Sequence, residues 1–340
     1  MRLPMGNWIH DFRVWPLSCA LLLTSGCTSI ELALGLRMRL DKVPVTGLTA
    51  SLVPNPALAP GQSGKLVIVA TTADGQRFIS AGMGHGKVLF DSYNLTTSVV
   101  QVNTKGKVSL SSDPRISDEA TPKIVITVNG HPDVTAELVI PVRYDVPFVA
   151  HFSGRPGSSG FDGSDGMSGS SGSSGSMDPN NPSSGGDGGN GTDGGNGADG
   201  GPGEPGKSVQ VSITLRAGPT ALLQIRAASG DRELLFLVDP NGGKLSLDAN
   251  GGPGGSGGRG GRGGSGGSGG IGTPSGMPGL SGQDGRSGWS GPGGAAGKIV
   301  VSVDPSAEPY LDRVVFSNKS GDGVPGAAPV TRIVPVGALW

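Results

Sequence analysis

Cysteine is nearly missing from this chain. Of its 340 residues only Cys19 and Cys27 are cysteine, and both lie within the first 27. No disulfide framework and no cysteine-ligated metal can support the remainder. Aromatic residues make up 4% and charged residues 16%, against 64 glycines and 27 prolines. One large core is excluded, because much of the chain carries no apolar side chain to bury. The formal net charge of −1 gives no global field, so no nucleic-acid partner is expected.

Catalytic chemistry is equally sparse. The histidines are His10, His85, His131 and His151. None shares a helical i, i+4 spacing around a carboxylate, so there is no zincin pattern. No strand leads into a G-x-S-x-G elbow, and no helix follows any glycine triad to make a dinucleotide fingerprint. Asp178, Asp187, Asp193 and Asp199 miss the nonapeptide spacing of calcium repeats. Arg259 and Arg262 read as solvated charges. No catalytic residue, metal or cofactor is assigned, and an enzyme is not expected.

The N-terminus carries Arg2 and Arg13, then an apolar run from Val14 to Leu23. That run is too short for a mature membrane span and reads as a signal-peptide core. It ends in Leu23-Thr24-Ser25-Gly26-Cys27, which resembles the lipobox of bacterial lipoproteins, with Thr24 in place of the usual leucine. The resemblance implies a signal peptide over 1–26, cleavage before Cys27 and acylation of Cys27, with 27–44 as anchor and tether. The membrane is then a partner through the lipid, because several acyl chains anchor stably where one does not. Thr28 in place of Asp implies, by analogy with Gram-negative sorting, a lipid-anchored location at the outer membrane. The alternative is an ordinary cleaved signal with an incidental cysteine.

Residues 45–150 read as a β-sandwich. Alternating apolar runs occur at Leu48–Val53, Lys65–Ala70, Ser98–Val102, Lys123–Val128 and Val134–Ile140, with turns at Pro60-Gly61, Asp74-Gly75 and Asn129-Gly130. No helical period survives over ten residues. The stretch from Leu58 to Gln62, followed by Leu66 to Gly75, resembles bacterial immunoglobulin-like modules, which implies a spacer or adhesive unit.

The chain's main feature is glycine at every third residue in four tracts, 154–175, 185–206, 251–272 and 276–297. Each spans 22 residues and holds eight in-phase glycines. A disordered linker has no reason to repeat a length, so the tracts are read as architecture. Period three is that of the polyproline II helix, which rises about 3.1 Å per residue and has no internal hydrogen bonds. Each tract would be a rod of roughly 65 Å by that rise. Lateral bonds must then satisfy its backbone and offset the entropy of ordering glycine.

Two assemblies use such a stripe: a homotrimeric collagen-like helix, and a polyglycine II bundle within one chain. The third tract reads Gly-Gly-X throughout, from Gly251-Gly252-Pro253 onward. A second bare face serves a bundle interior and not a collagen axis. The second tract has a partial second stripe, and the first and fourth have one. Proline occupies only six of the 88 tract positions. Thr273-Pro274-Ser275 is a hairpin-sized link, and 176–184 is turn-rich. The reading favoured is a monomer with four antiparallel rods, the third inside and the first and fourth at edges. Gly154, Gly185, Gly251, Gly252 and Gly276 begin its packing stripes. A homotrimer and a flexible linker are the alternatives. The tracts resemble collagen repeats, the polyglycine II domains of some phage tail-tip adhesins and glycine-rich arthropod antifreeze proteins; the likeness is one of composition.

Residues 207–250 and 298–340 supply about seven further strands, with hairpin signals at Gly230-Asp231 and Asn241-Gly242. Neither part is a core alone, so the pair is expected to form one β unit into which the tracts are inserted. The fold class is therefore all-β, with essentially no α-helix outside the signal peptide. Met277, Leu280 and Trp289 share one phase of the fourth tract, with Gln283 and Arg286 between them. This stripe either rests on a neighbouring part of the chain or contacts a protein or glycan partner. Asp178, Asn180, Asn181, Thr273 and Ser275 would meet at a distal tip. Two functions compete: a lipid-anchored surface protein acting as rigid spacer or matrix component, and an adhesin or binding module using the tip or flank.

Overall fold

A computed structural model describes residues 36–81, 87–216 and 220–340, together with Leu32, Leu34 and Gly218. The signal segment, Cys27, His10 and His85 lie outside the described residues. The described chain is mostly β-structure with very little helix. It divides into two compact units, at Tyr144 and Asp145.

In the first unit, strands β1 (Val45–Val53), β2 (Ser63–Thr72), β3 (Arg77–Ala81), β5 (Val100–Val102) and β6 (Lys107–Leu110) form one sheet. Strands β4 (Tyr93–Ser98), β7 (Lys123–Val128) and β8 (His131–Val139) form the other. β2 is central: β1 lies along one edge, while β6 and then β3 share the other. Period-two alternation sends Leu66, Ile68 and Ala70 inward from β2, and Ile124, Ile126 and Val128 inward from β7, into one core. Each buried Leu or Ile stabilises by about 1.5–3 kcal/mol. Gly75 and Gly130 close their turns at φ 80° and 85°, where a Cβ is disfavoured.

One sequence expectation is corrected here. The run Ser98–Val102 is not one strand. Val99 turns the chain at φ 67°, so β4 pairs with β7 in one sheet and β5 with β6 in the other. A short helix, α1 (Pro114–Asp118), is also present. Asp113 caps it by accepting from Arg115 N–H at 3.0 Å, and Pro114 opens it. The Arg115 guanidinium also holds the Asp113 carboxyl below its usual range.

The second unit has a five-stranded sheet in the order β12 (Arg232–Val238), β11 (Leu222–Ser229), β10 (Val209–Arg216), β14 (Ile299–Val303), β16 (Val330–Ile333). Its three-stranded sheet runs β15 (Val314–Ser317), β13 (Lys244–Asp248), β9 (Pro147–His151). Strands from 207–250 and from 298–340 therefore share both sheets. β9 also belongs here, paired with β13, so the first unit stops before residue 150. Gly230-Asp231 joins β11 and β12 as an antiparallel hairpin. Asn241-Gly242 does not make a hairpin. β12 and β13 lie in different sheets, and Asp239 holds the corner by accepting from the N–H groups of Asn241 and Gly243.

The sequence gives no sign of the parallel pairs. β9 runs parallel to β13, and β10 parallel to β14. Each of these strands continues directly into or out of a glycine tract. The C-terminal segment then straps the five-stranded sheet. Val334 N–H donates to Val303 O, Val336 N–H to Asp304 Oδ2, and Leu339 N–H to Gln224 Oε1. Bonds from Ser306 and the Val336 N–H hold the Asp304 carboxyl below its ordinary range.

Candidate functional site: the glycine tracts and their flanks

The tracts bond to one another with the period of their glycines. The in-phase glycine N–H groups of the first tract donate to the third, from Gly157 to Pro253 O through Gly175 to Ile271 O, and Gly154 donates to Asn250 O just before it. The second tract donates to the first in antiparallel order, as in Gly186 to Ser173 O and Gly201 to Ser158 O. It donates to the fourth in parallel order, as in Gly188 to Met277 O and Gly200 to Trp289 O. The third donates to the second, beginning with Gly252 to Glu204 O. The fourth donates to the third, beginning with Gly276 to Gly270 O. The second and third tracts thus each bond to all three others. Gly251 N–H donates instead to Lys319 O, outside the tracts.

Sheet register and tract register coincide. His151 of β9 faces Asp248 of β13, 97 positions on. The same interval of 97 recurs between the first and third tracts, in Asp162 with Arg259 N–H and Asp165 with Arg262 N–H. Val209 of β10 faces Ile299 of β14. That interval of 90 recurs between the second and fourth tracts, from Asp187 with Met277 to Asp199 with Trp289.

The glycines are needed at the contacts. A Cβ on Gly154, Gly185, Gly251, Gly252 or Gly276 would fall within 3.0 Å of backbone atoms of another tract. In the third tract both glycines of each triad meet such carbonyls. Gly261 faces Ser164 of the first tract, and Gly260 faces Gly285 of the fourth. The second stripe of the second tract is different: Gly195 faces the N and Oγ of Ser164 at 3.1 Å. Its phase tolerates Thr192 and Ala198, whose N–H groups donate to Met167 O and Phe161 O. Gly293 and Gly321, which share no tract phase, are explained by residues 319–322 lying against the third and fourth tracts.

Side chains serve the outer amides. Asp187, Asn190, Asp193, Asn196 and Asp199 accept through Oδ1 from the N–H of Met277, Leu280, Gln283, Arg286 and Trp289 at 2.7–2.8 Å. These aspartates therefore work as backbone acceptors. On the third tract, Gly263 N–H donates to Asp284 Oδ1 at 2.8 Å. Replacing Asp187, Asp193 and Asp199 together by Ala should cost about 0.5–1.5 kcal/mol per site. The melting temperature should then fall by about 2–4 °C per kcal/mol, and amide exchange should quicken at Met277, Gln283 and Trp289. The triple Asn variant keeps each acceptor, as Asn190 and Asn196 already do, and should melt with the parent.

The links meet, as Thr273 N–H donates to Ser183 O. Asp178 accepts from Asn180 N–H at 2.9 Å, and Ser275 Oγ donates to Gly272 O. Asp178 and Ser275 are thus spent on turn geometry, while Asn180 and Asn181 are exposed. Met277 and Leu280 are each 74% exposed and Trp289 82%, so this stripe rests on no neighbouring tract. Phe161 and Met167 of the first tract are as exposed, and sequence reading passed them over. Their signal was present: the second tract gives up glycine at Ala198 and Thr192, opposite these two large side chains.

His151 Nδ1 lies 3.4 Å from Asp248 Oδ2 on the surface. Among the described residues no three His, Cys, Asp or Glu side chains gather as a metal site. No family model, curated protein or solved structure matches this chain.

Proposed function

We propose that this chain is a lipid-anchored bacterial surface protein whose four glycine tracts form a monomeric polyglycine II bundle, serving as a rigid spacer or matrix component. The observation that carries the reading is the shared register. Intervals of 97 and 90 run unbroken from β-strand pairs into tract pairs, so the β unit sets the phase in which the glycines pack. A flexible linker would have no register to inherit. A collagen trimer would draw its lateral bonds from other chains. Here backbone donors find acceptors within the chain, and outer amides are served by Asp, Asn and Ser side chains. That arrangement favours a finite assembly, as side-chain devices protect sheet edges.

Two measurements test this. Sedimentation of the chain from residue 28 onward should give a monomer; a trimer with the positive circular dichroism band of collagen would overturn the bundle. Full-length protein expressed in a Gram-negative host should incorporate labelled palmitate and partition with outer membranes. Cys27→Ala should lose both label and membrane association. Unchanged membrane association in Cys27→Ala would overturn the anchor.

A further inference from the structure

The tracts present two unlike flanks. Large apolar side chains of the first and fourth tracts stand on either side of the second. Ala198 N–H bonds to Phe161 O and Gly200 N–H to Trp289 O, so Phe161 and Trp289 bracket Asp199. Thr192 N–H bonds to Met167 O, next to Asp193, and Leu280 lies one triplet away, with its N–H on Asn190 Oδ1. Met277 lies beside Asp187 in the same way. The opposite flank, built on the third tract, carries serine pairs, such as Ser168 with Ser265 and Ser171 with Ser268, around Arg259 and Arg262.

We propose that the flank centred on the second tract is a docking face for a basic, apolar-bearing polypeptide segment, anchored by a Lys or Arg side chain over Asp199 between Phe161 and Trp289. The inference rests on the tract arrangement above and adds a binding role to it. Phe161 at 84% exposure and Trp289 at 82% are far more open than a buried role would leave them, and large apolar side chains gathered on one exposed face mark interaction sites. Charge chooses the occupant. Asp187, Asp193 and Asp199 each commit Oδ1 to a backbone amide and keep a second carboxylate oxygen. Glu204 adds to them, while Arg155 and Arg286 offset part. The face remains acidic, so a second copy docking through it, or an anionic membrane, would meet like charge. A cation between two aromatic rings also gains by cation–π attraction, about 0.5–2 kcal/mol. The aspartates recur every six residues, roughly 19 Å at the rise of this helix, so an extended segment can engage them in series.

The test uses the chain from residue 28 onward and three 18-residue peptides of equal leucine content, whose remaining residues are Lys, Glu or Ser. Titration calorimetry should show binding of the lysine peptide alone, weakening at least tenfold between low salt and 0.5 M salt. The Asp187→Asn, Asp193→Asn, Asp199→Asn triple variant should bind at least tenfold more weakly, as should Phe161→Ser with Trp289→Ser. Circular dichroism and sedimentation should stay unchanged in both variants. Loss of those two signals would instead count against the bundle. The docking proposal is overturned by no binding of the lysine peptide, by equal binding of the serine peptide, or by undiminished binding in either variant. Preferential binding of neutral oligosaccharides or anionic vesicles would overturn it equally.

Discussion

Gly261→Ala should lower the melting temperature of the second unit by roughly 6–12 °C, while Gly195→Ala should leave it within a few degrees of the parent. The two glycines approach the same residue, Ser164, from different sides. A methyl on Gly261 falls within 3.0 Å of the Ser164 carbonyl and the Asp165 backbone; a methyl on Gly195 meets the amide nitrogen and hydroxyl of Ser164 at 3.1 Å. Backbone held by tract bonds on either side of Ser164 cannot move aside, so overpacking at Gly261 costs about 3 kcal/mol, the upper part of the usual range. A unit of this size loses about 2–4 °C per kcal/mol. At Gly195 the hydroxyl can rotate and the 3.1 Å approach to the amide nitrogen needs only a few tenths of an ångström, a room that Thr192 and Ala198 use in the same phase; the loss of glycine's unfolded-state freedom then returns about 0.4–1 kcal/mol. Differential scanning calorimetry of both variants decides it. Equal melting would mean that the third tract has no need of its second glycine.

That contrast also marks what was legible in the sequence. The doubled glycine of the third tract could be read because its cause is local: every triad must leave two faces bare. Gly75, Gly130 and Gly230 could be read as turns for the same reason, since a positive φ is a property of one residue. The count of bare stripes did not count neighbours. The second tract has three neighbours, like the third, yet keeps Thr192 and Ala198, because a Cβ in that stripe meets serine Oγ and N atoms of the first tract at 2.6 Å or more, where Gly260 and Gly261 of the third meet carbonyl oxygens at 1.9 and 2.0 Å. Illegible features depend on where distant segments meet. Val99 looks like an ordinary strand residue until β4 and β5 are known to lie in different sheets. Asp199 looks like a free carboxylate until Trp289, 90 positions away, is placed beside it. Phe161 joins the same flank only once the first and second tracts are in register. Asn241-Gly242 has hairpin chemistry, but β13 finds parallel partners in β9 and β15, and the local signal yields to them.

Register also gives the sharpest distinction between a packed assembly and a spacer of loose chain. Deleting Ser265 alone should abolish the cooperative unfolding of the second unit, whereas deleting Gly263, Gly264 and Ser265 together should leave a cooperative transition at reduced temperature. A single deletion rotates everything after it by one third of a turn, since the proposed polyglycine II helix has three residues per turn. Ser268 and Ile271 then fall in glycine phase, where a Cβ meets backbone of another tract. The β13 end stays pinned by its pairs with β9 and β15, so the tract cannot slide back into phase. Removing a whole triplet preserves phase. Beyond the cut, each third-tract glycine meets the next carbonyl along its neighbours, and the mismatch falls on the link at Thr273-Pro274-Ser275. The cost is then one turn of lateral bonds and a strained link, at a net of about 1 kcal/mol for each bond lost. A disordered linker would respond to neither deletion, and a collagen trimer would gain or lose oligomeric state with both. Calorimetry together with sedimentation separates the three responses, and identical behaviour of the two deletions would remove the basis for a register-locked bundle.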